Sequence, residues 1–352
     1  MYIFGMANFW QKLKRPFFAL APMADVTDIA FREIVRKYSR HGEPCGGPDV
    51  FWTEFVSADG LASEKGREAL SIDLKFMEGE RPIVAQIFTS KPENMRGAAK
   101  LVRELGFDGL DINMGCPDRT IEKQGAGAAL IKEFKLAQDI IRAAQDGAGG
   151  MPVSVKTRIG YNSDVLDEWL GAILETEPAV ITVHARTRKD MSKVPARWEA
   201  AAQAVKLRDN IQRNDLKTLI IGNGDVQNIA DGETKARETG ADGVMIGRAI
   251  FGRPWLFSNS QEFENRNDTR VLAGVLNIMV EHTNKFEELL GGRKNFAVMK
   301  KHYKAYCEGF PGAKELRVRL METKNAAEVA NVVNGFLTKD RLNLKSDHKI
   351  NM

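Results

Sequence analysis

Short runs of mostly apolar, often β-branched residues recur along the chain and end in polar or glycine positions: 17–21, 50–53, 82–86, 109–113, 152–156, 180–184, 218–222 and 243–247. Between them apolar residues return every three or four positions, as in 94–105 and 136–144, so strand and helix alternate eight times. This alternation predicts an α/β fold, a (β/α)8 TIM barrel of parallel strands buried on both faces, with a reactive rim at the strand C-termini. Gly106-Phe107-Asp108-Gly109 recurs as Gly240-Ala241-Asp242-Gly243 at the entries to the fourth and eighth runs. Two half-barrels, or two independent uses of glycine to end a helix, would both leave that echo.

After about residue 266 the pattern changes. Apolar positions keep helical spacing through 271–290, 296–307 and 316–337, punctuated by Gly291-Gly292 and Gly309-Phe310-Pro311-Gly312. The expected organisation is an N-terminal extension (1–16) serving as a surface cover, a barrel (17–262), a small C-terminal helical domain (266–338) and a polar tail (339–352). Residues 42–48 read as an insertion before the second strand.

Composition narrows the class. With 352 residues the chain can build a large core, and its three cysteines, Cys45, Cys116 and Cys307, have neither metal-ligand nor disulfide-framework spacing. A reducing cytoplasm is expected, with no metal and no membrane span. His41, His282 and His302 are likewise not at ligand spacing. Gly125-Ala126-Gly127 lacks the third glycine and the preceding strand of a dinucleotide fingerprint. The net charge is only +4, but eight Lys or Arg stand against two acidic residues between Arg293 and Arg319. Tyr303, Tyr306 and Phe310 interleave with them, and Arg186, Arg188, Lys189, Lys193 and Arg197 form a second basic cluster. Basic residues interleaved with aromatics suit a nucleic-acid surface.

The chemistry gathers at the predicted rim. The fourth run ends in Asn113-Met114-Gly115-Cys116-Pro117, where Gly115 permits a tight turn and Pro117 drives Cys116 toward extended geometry, so the thiol projects with little freedom. Glycines and a basic residue after the seventh and eighth runs (Asn223-Gly224-Asp225, Gly247-Arg248) form the usual phosphate site of such barrels.

These motifs resemble the tRNA-dihydrouridine synthases, FMN-dependent barrel enzymes. The likeness runs from Ala21-Pro22-Met23-Ala24 through the cysteine block, Gly125-Ala126-Gly127-Ala128-Ala129-Leu130, Val155-Lys156-Thr157-Arg158, His184-Ala185-Arg186-Thr187 and Asn223-Gly224-Asp225 to Met245-Ile246-Gly247-Arg248. It implies that Pro22, Met23, Ala24, Gln86, Lys156, His184, Asn223, Gly224, Asp225, Gly247 and Arg248 hold FMN, reduced by NADPH. Reduced flavin would deliver hydride to C6 of a uracil ring while the Cys116 thiol protonates C5. Asn113, Arg158 and Arg186 would bind the uracil or nearby phosphates, and Lys300 and Lys301 the tRNA backbone. A monomer is the expected state. Two other readings compete: a barrel flavoenzyme of the dihydroorotate dehydrogenase kind acting on a free pyrimidine, which would not need the basic helical appendage, and a non-catalytic RNA-binding protein, which would not need Cys116 and Lys156.

Overall fold

A computed structural model of the chain describes residues 8–212 and 217–347, with side chains described as far as residue 338. Eight strands, β1 (Phe17–Leu20), β2 (Phe51–Ser57), β3 (Ile83–Phe88), β4 (Gly109–Met114), β5 (Val153–Arg158), β6 (Val180–His184), β7 (Leu219–Asn223) and β8 (Gly243–Ile246), pair in parallel in the order β1-β8-β7-β6-β5-β4-β3-β2. The ring closes where Ala19 bridges Val50 and the Leu20 N–H donates to the Val50 carbonyl (3.3 Å). This is the (β/α)8 barrel expected from the alternation. Side chains obey the two-residue period of strands. Phe17, Ala19, Val84, Leu219, Ile221 and Met245 pack together inside, while Leu20, Ile83, Leu110, Ile112, Val155 and Ile220 join the surrounding helices in the outer core.

Two boundaries differ from the sequence reading for physical reasons. β2 runs past Thr53 to Ser57 because the Glu54 carboxylate, which read as a strand end, finds partners: it accepts from the Asp25 N–H (2.5 Å) and pairs with Lys294. The N-terminal segment is more than a cover. Its single turn, Phe9–Lys12, places Trp10 beneath the barrel floor, 1% exposed, with ring centroids 5.7 Å from Phe17 and 5.6 Å from Trp52.

The Asp108/Asp242 echo has a structural basis, and it has a third member. Asp49, Asp108 and Asp242 each donate their N–H to the carbonyl of Phe18, Ile83 and Ile220, respectively, and accept that same residue's N–H on the carboxylate (2.7, 2.8 and 2.8 Å). Each aspartate thus fastens an even-numbered strand, β2, β4 or β8, to the start of its predecessor. At β6 Pro178-Ala179 replaces the device, and only the Ala179 N–H bond to the Val153 carbonyl (2.8 Å) remains. The repeat is therefore finer than half a barrel.

Four C-terminal helices follow: Thr269–Leu290, Met299–Tyr306, Ala313–Glu322 and Ala326–Asp347. The continuous period through 316–337 is two helices, because Asn325 accepts from the Glu328 N–H (2.9 Å) while Glu328 accepts from the Lys324 N–H (2.8 Å), a reciprocal cap that starts a new helix. The last helix continues through the expected polar tail to Asp347. Leu276, Met279, Phe286, Tyr303, Leu316 and Val329 form the core of this region, and it is completed by Ile29, Ala30 and Ile34 from the barrel helix Ile29–Tyr38. The helices are thereby packed directly on the barrel. Among the described residues no helix is long and apolar enough to cross a membrane, and no group of three potential metal ligands occurs.

Candidate active site

At the C-terminal ends of β1 and β5 to β8 a basin of about 840 Å³ opens, lined by Lys156, Arg158, Arg186, Arg248 and Arg253 with Asp225 as the one carboxylate. Strand periodicity puts Lys156 inside: Ser154, Lys156 and Arg158 alternate with the outward Val153 and Val155. The Lys156 ammonium donates to Asn223 Oδ1 (3.1 Å), and Asn223 Nδ2 in turn donates to the Met245 carbonyl (2.8 Å). Burial, with the Arg158 charge adding to it, pulls the Lys156 pKa down to about 8. The ammonium still dominates at neutral pH. Burial and the charges of Arg158, Lys156 and Arg186 hold His184 well below its usual value. It is therefore neutral, and because Arg186 Nη1, 3.3 Å from its Nε2, can only donate, the imidazole proton sits on Nδ1.

The opposite wall is built for close backbone approach. Gly224 has φ +127°, and a Cβ there would lie 2.8 Å from Ala196 Cβ and 3.2 Å from His184 Cδ2, so no other residue fits. The Asp225 carboxylate accepts from the Ala196 N–H (2.9 Å) and bridges Arg186 to Arg248 (2.8 Å to the latter). That bridge orients Arg248 while leaving it 63% exposed. A Cβ at Gly247 would stand in ordinary contact with Ala21 and Met23, 3.6 and 3.8 Å away, so the bare glycine leaves the basin wall open there. Room, five cations and an open backbone edge fit an anionic, planar cofactor such as a flavin phosphate.

The cysteine turn closes the basin's edge, where Pro117 lines the cavity. Asn113 Oδ1 accepts from the N–H groups of both Gly115 (3.1 Å) and Cys116 (2.9 Å), and the Cys116 carbonyl accepts from Ala128 (2.9 Å). Arg158 donates to the Gly115 carbonyl (2.8 Å), and Arg188 clamps Glu122 on the helix that follows (2.7 Å). The half-buried thiol packs beside Phe88, Ile121 and Ala126. Burial pushes its pKa up against the pull of the nearby Arg158 and Lys156 charges, so it keeps its proton at neutral pH.

Pro22, Met23, Lys156, Arg158, His184, Arg186, Asn223, Gly224, Asp225, Gly247 and Arg248 all line the one basin, whereas exposed Ala24 does not. Gln86 and Asn113 lie buried and bonded to one another (3.0 Å). Arg158 and Arg186 face the basin but spend donors on loop carbonyls, Arg158 on Gly115 and Thr187, Arg186 on Val194. Lys300 and Lys301 sit on the helix Met299–Tyr306, with Lys301 3.0 Å from Asp25 in the loop after β1. One expectation is corrected: Tyr303, Tyr306 and Phe310, read as interleaved with the basic residues, are 0%, 0% and 8% exposed. Helical spacing sends the aromatics to the core and Lys300, Lys301 and Lys304 outward. Sequence reasoning missed Asp111, Ser154 and the Arg188–Glu122 clamp. For Asp111 a signal existed, a carboxylate two residues before Asn113 and so on the same inward face.

A (β/α)8 barrel with a basic basin and a poised thiol at its strand C-termini defines a barrel enzyme. The family described as dihydrouridine synthase matches residues 19–341. A probable tRNA-dihydrouridine synthase 2 of Bacillus subtilis (strain 168) is 40% identical over 333 residues, 94% of this chain and 97% of that protein. A probable tRNA-dihydrouridine synthase of Staphylococcus aureus (strain COL) is 41% identical over 331 residues, 94% and 95% of the two chains. Among solved structures, morphinone reductase in complex with tetrahydroNAD superposes with a TM-score of 0.48 at 12% identity over 70% of this chain and 87% of that one. The chain belongs to the dihydrouridine synthase family, a family of flavin-dependent oxidoreductases.

Proposed function

We propose that the protein reduces the C5–C6 double bond of specific uridines in tRNA, using FMN reduced by NADPH, in the cytoplasm. The observation that carries this reading is the convergence on one basin of a cationic, glycine-edged cradle and a protonated thiol held at its edge. Residues 17–262 serve as the catalytic domain and 266–338 as the part that grips the polynucleotide.

Pro22, Met23, Lys156, His184, Asn223, Gly224, Gly247 and Arg248 hold the flavin, which supplies hydride to C6 of the uracil ring when bound in its reduced form. Lys156, as the ammonium, offsets negative charge on the cofactor, and Arg248 with the neighbouring glycine backbone holds the phosphate. Cys116 gives its thiol proton to C5. The thiolate left behind feels the positive Arg158 and Lys156 and regains a proton from solvent. Arg158 and Arg186 orient the substrate with the N–H groups not spent on loop carbonyls.

The test is formation of dihydrouridine in tRNA isolated from cells that lack this protein, on addition of the purified chain and NADPH. A folded protein that stays colourless after FMN is added, or that reduces free uracil or orotate as fast as tRNA, overturns the reading. Arg248→Ala is expected to weaken flavin retention while shifting unfolding stability by no more than about 0.5 kcal/mol, because the side chain is exposed and its pairing with Asp225 is screened. Equilibrium dialysis and urea melts check the two halves.

The polynucleotide surface is proposed on the outward face of Met299–Tyr306. Lys300 and Lys304 lie there with no ion pair among the described residues, whereas Lys301 already pairs with Asp25. Lys300→Gln/Lys304→Gln is therefore the cleaner variant. It is expected to weaken tRNA binding and to flatten the log–log salt dependence by about 0.7 to 0.9 per lost phosphate contact, with NADPH-driven flavin reduction unchanged. An unchanged salt slope removes this face from the interface.

A further inference from the structure

A buried carboxylate stands inside the barrel where packing alone would accept a hydrocarbon. Asp111 is 0% exposed on the inward face of β4, in register with Gln86 on β3 and Ser154 on β5. Inward neighbours elsewhere in the ring are Ala19, Ile221 and Met245. Its oxygens accept from the Ser154 hydroxyl (2.6 Å) and Gln86 Nε2 (2.6 Å), and the Lys156 charge and the Trp52 indole nearby also favour its ionised form without outweighing burial. Burial drives its pKa up to about 6, so holding this charge costs stability at neutral pH.

The geometry points to Asp111 as a positioning residue that sets the orientation of two amides and, through them, the turn carrying Cys116. An ionised carboxylate can only accept, so the Gln86 amide must turn its Nε2 toward Asp111. Gln86 Oε1 is then left to accept from Asn113 Nδ2 (3.0 Å). That bond in turn leaves Asn113 Oδ1 facing the Gly115 and Cys116 N–H groups (3.1 and 2.9 Å). The Gly115 and Cys116 N–H groups favour the same direction from the other end, but a neutral amide at position 111 would also support the reversed chain, with Asn113 Nδ2 set against both backbone donors and the turn's two bonds lost. The Asp111 carboxylate excludes that reversed chain, because it has no donor to offer Gln86 Oε1. The relay is read from side-chain geometry alone; its importance for proton delivery rests on the function proposed for Cys116.

Asp111→Asn tests it in the full chain as purified, with alkylation by N-ethylmaleimide followed peptide by peptide. Exposed Cys45 is the internal reference and buried Cys307 the unreactive control. The ratio of Cys116 to Cys45 alkylation is expected to rise about tenfold as the turn loses its acceptor, and the Gly115 and Cys116 amides to exchange faster. Thermal stability at pH 7 is expected to hold or rise, because a buried charge is gone. Adding Asn113→Asp restores an acceptor-only group to the turn, so Asp111→Asn/Asn113→Asp is expected to return the alkylation ratio to its wild-type value with Gln86 inverted. Gln86→Met, which cuts the relay with a side chain of similar size, is expected to raise the ratio as Asp111→Asn does and keeps the test open if the latter does not fold. An unmoved ratio in folded Asp111→Asn, or a ratio left high in the double variant, overturns the relay. A raised ratio with undiminished dihydrouridine formation leaves the relay standing and overturns its importance for proton delivery.

Discussion

Cys116→Ala is expected to lower uridine reduction by about 10²-fold or more while NADPH still bleaches the bound flavin at the wild-type rate, the loss typical of a missing general acid. The structure separates the two effects. Nothing that holds the turn belongs to the thiol: Asn113 Oδ1 bonds backbone N–H groups, Ala128 bonds the Cys116 carbonyl, and Arg158 bonds that of Gly115. Alanine keeps the Cβ that packs near Phe88 and Ile121, so the turn and the basin wall stay in place. Stopped-flow absorbance reports flavin reduction, and dihydrouridine formation reports the second half-reaction. Because burial holds the wild-type thiol above its usual pKa while Lys156 is pulled down to about 8, uridine reduction is also expected to hold near neutral pH and to fall first as Lys156 loses its charge, below the pH at which the thiol itself ionises. Undiminished dihydrouridine formation in the variant would make Cys116 a structural residue and the proton donor a different group.

What was legible in the sequence was local or strictly periodic. Strand ends, the cysteine turn and the glycine-edged rim are each written within a few neighbouring residues, and the barrel's topology then brings 22–23, 156–158, 184–186, 223–225 and 247–248 around one basin. Facing was harder. Tyr303, Tyr306 and Phe310 share a segment with six lysines and arginines from Lys300 to Arg319, and only the turn of the helix sorts aromatics inward from cations outward. Dual roles were harder still. Arg158 and Arg186 have the chemistry of substrate ligands, but a guanidinium has five donors, and part of each set is committed to loop carbonyls that a linear reading does not bring near. Trp10, outside any periodic run, gave no sign that it would seal the floor. The contacts between the barrel and the C-terminal helices, separated by more than two hundred residues, left no trace in spacing at all.

Those contacts carry the remaining large effect. Lys294, just beyond the helix Thr269–Leu290, reaches back to the barrel, where its ammonium pairs with Glu54 on β2 and with Asp73 (2.7 Å). Its side chain is 13% exposed and that of Glu54 7%. Burial works against the Lys294 charge, yet the two carboxylates hold its pKa above the usual range, while burial pushes Glu54 up despite Lys294. Lys294→Met leaves both carboxylates without their cation, and breaking a buried pair on one side costs about 3 to 5 kcal/mol. The sign with pH follows from Glu54. Its folded pKa is already raised and rises further without Lys294, so the folded state takes up a proton more readily than the unfolded chain, and the deficit is expected to shrink as pH falls from 8 toward 5. Glu54→Gln in the same chain removes the stranded charge and is expected to recover part of the loss. Function is tied to the same contact, because Glu54 accepts from the N–H of Asp25, whose φ of +53° shapes the loop holding Pro22 and Met23 at the basin. Lys294→Met is therefore expected to release flavin under conditions where the chain is still folded. Urea melts at several pH values, followed in parallel by flavin fluorescence and far-UV circular dichroism, measure both; a variant as stable as wild type, with flavin loss coincident with global unfolding, would mean that the helices are merely attached to the barrel and take no part in shaping its site.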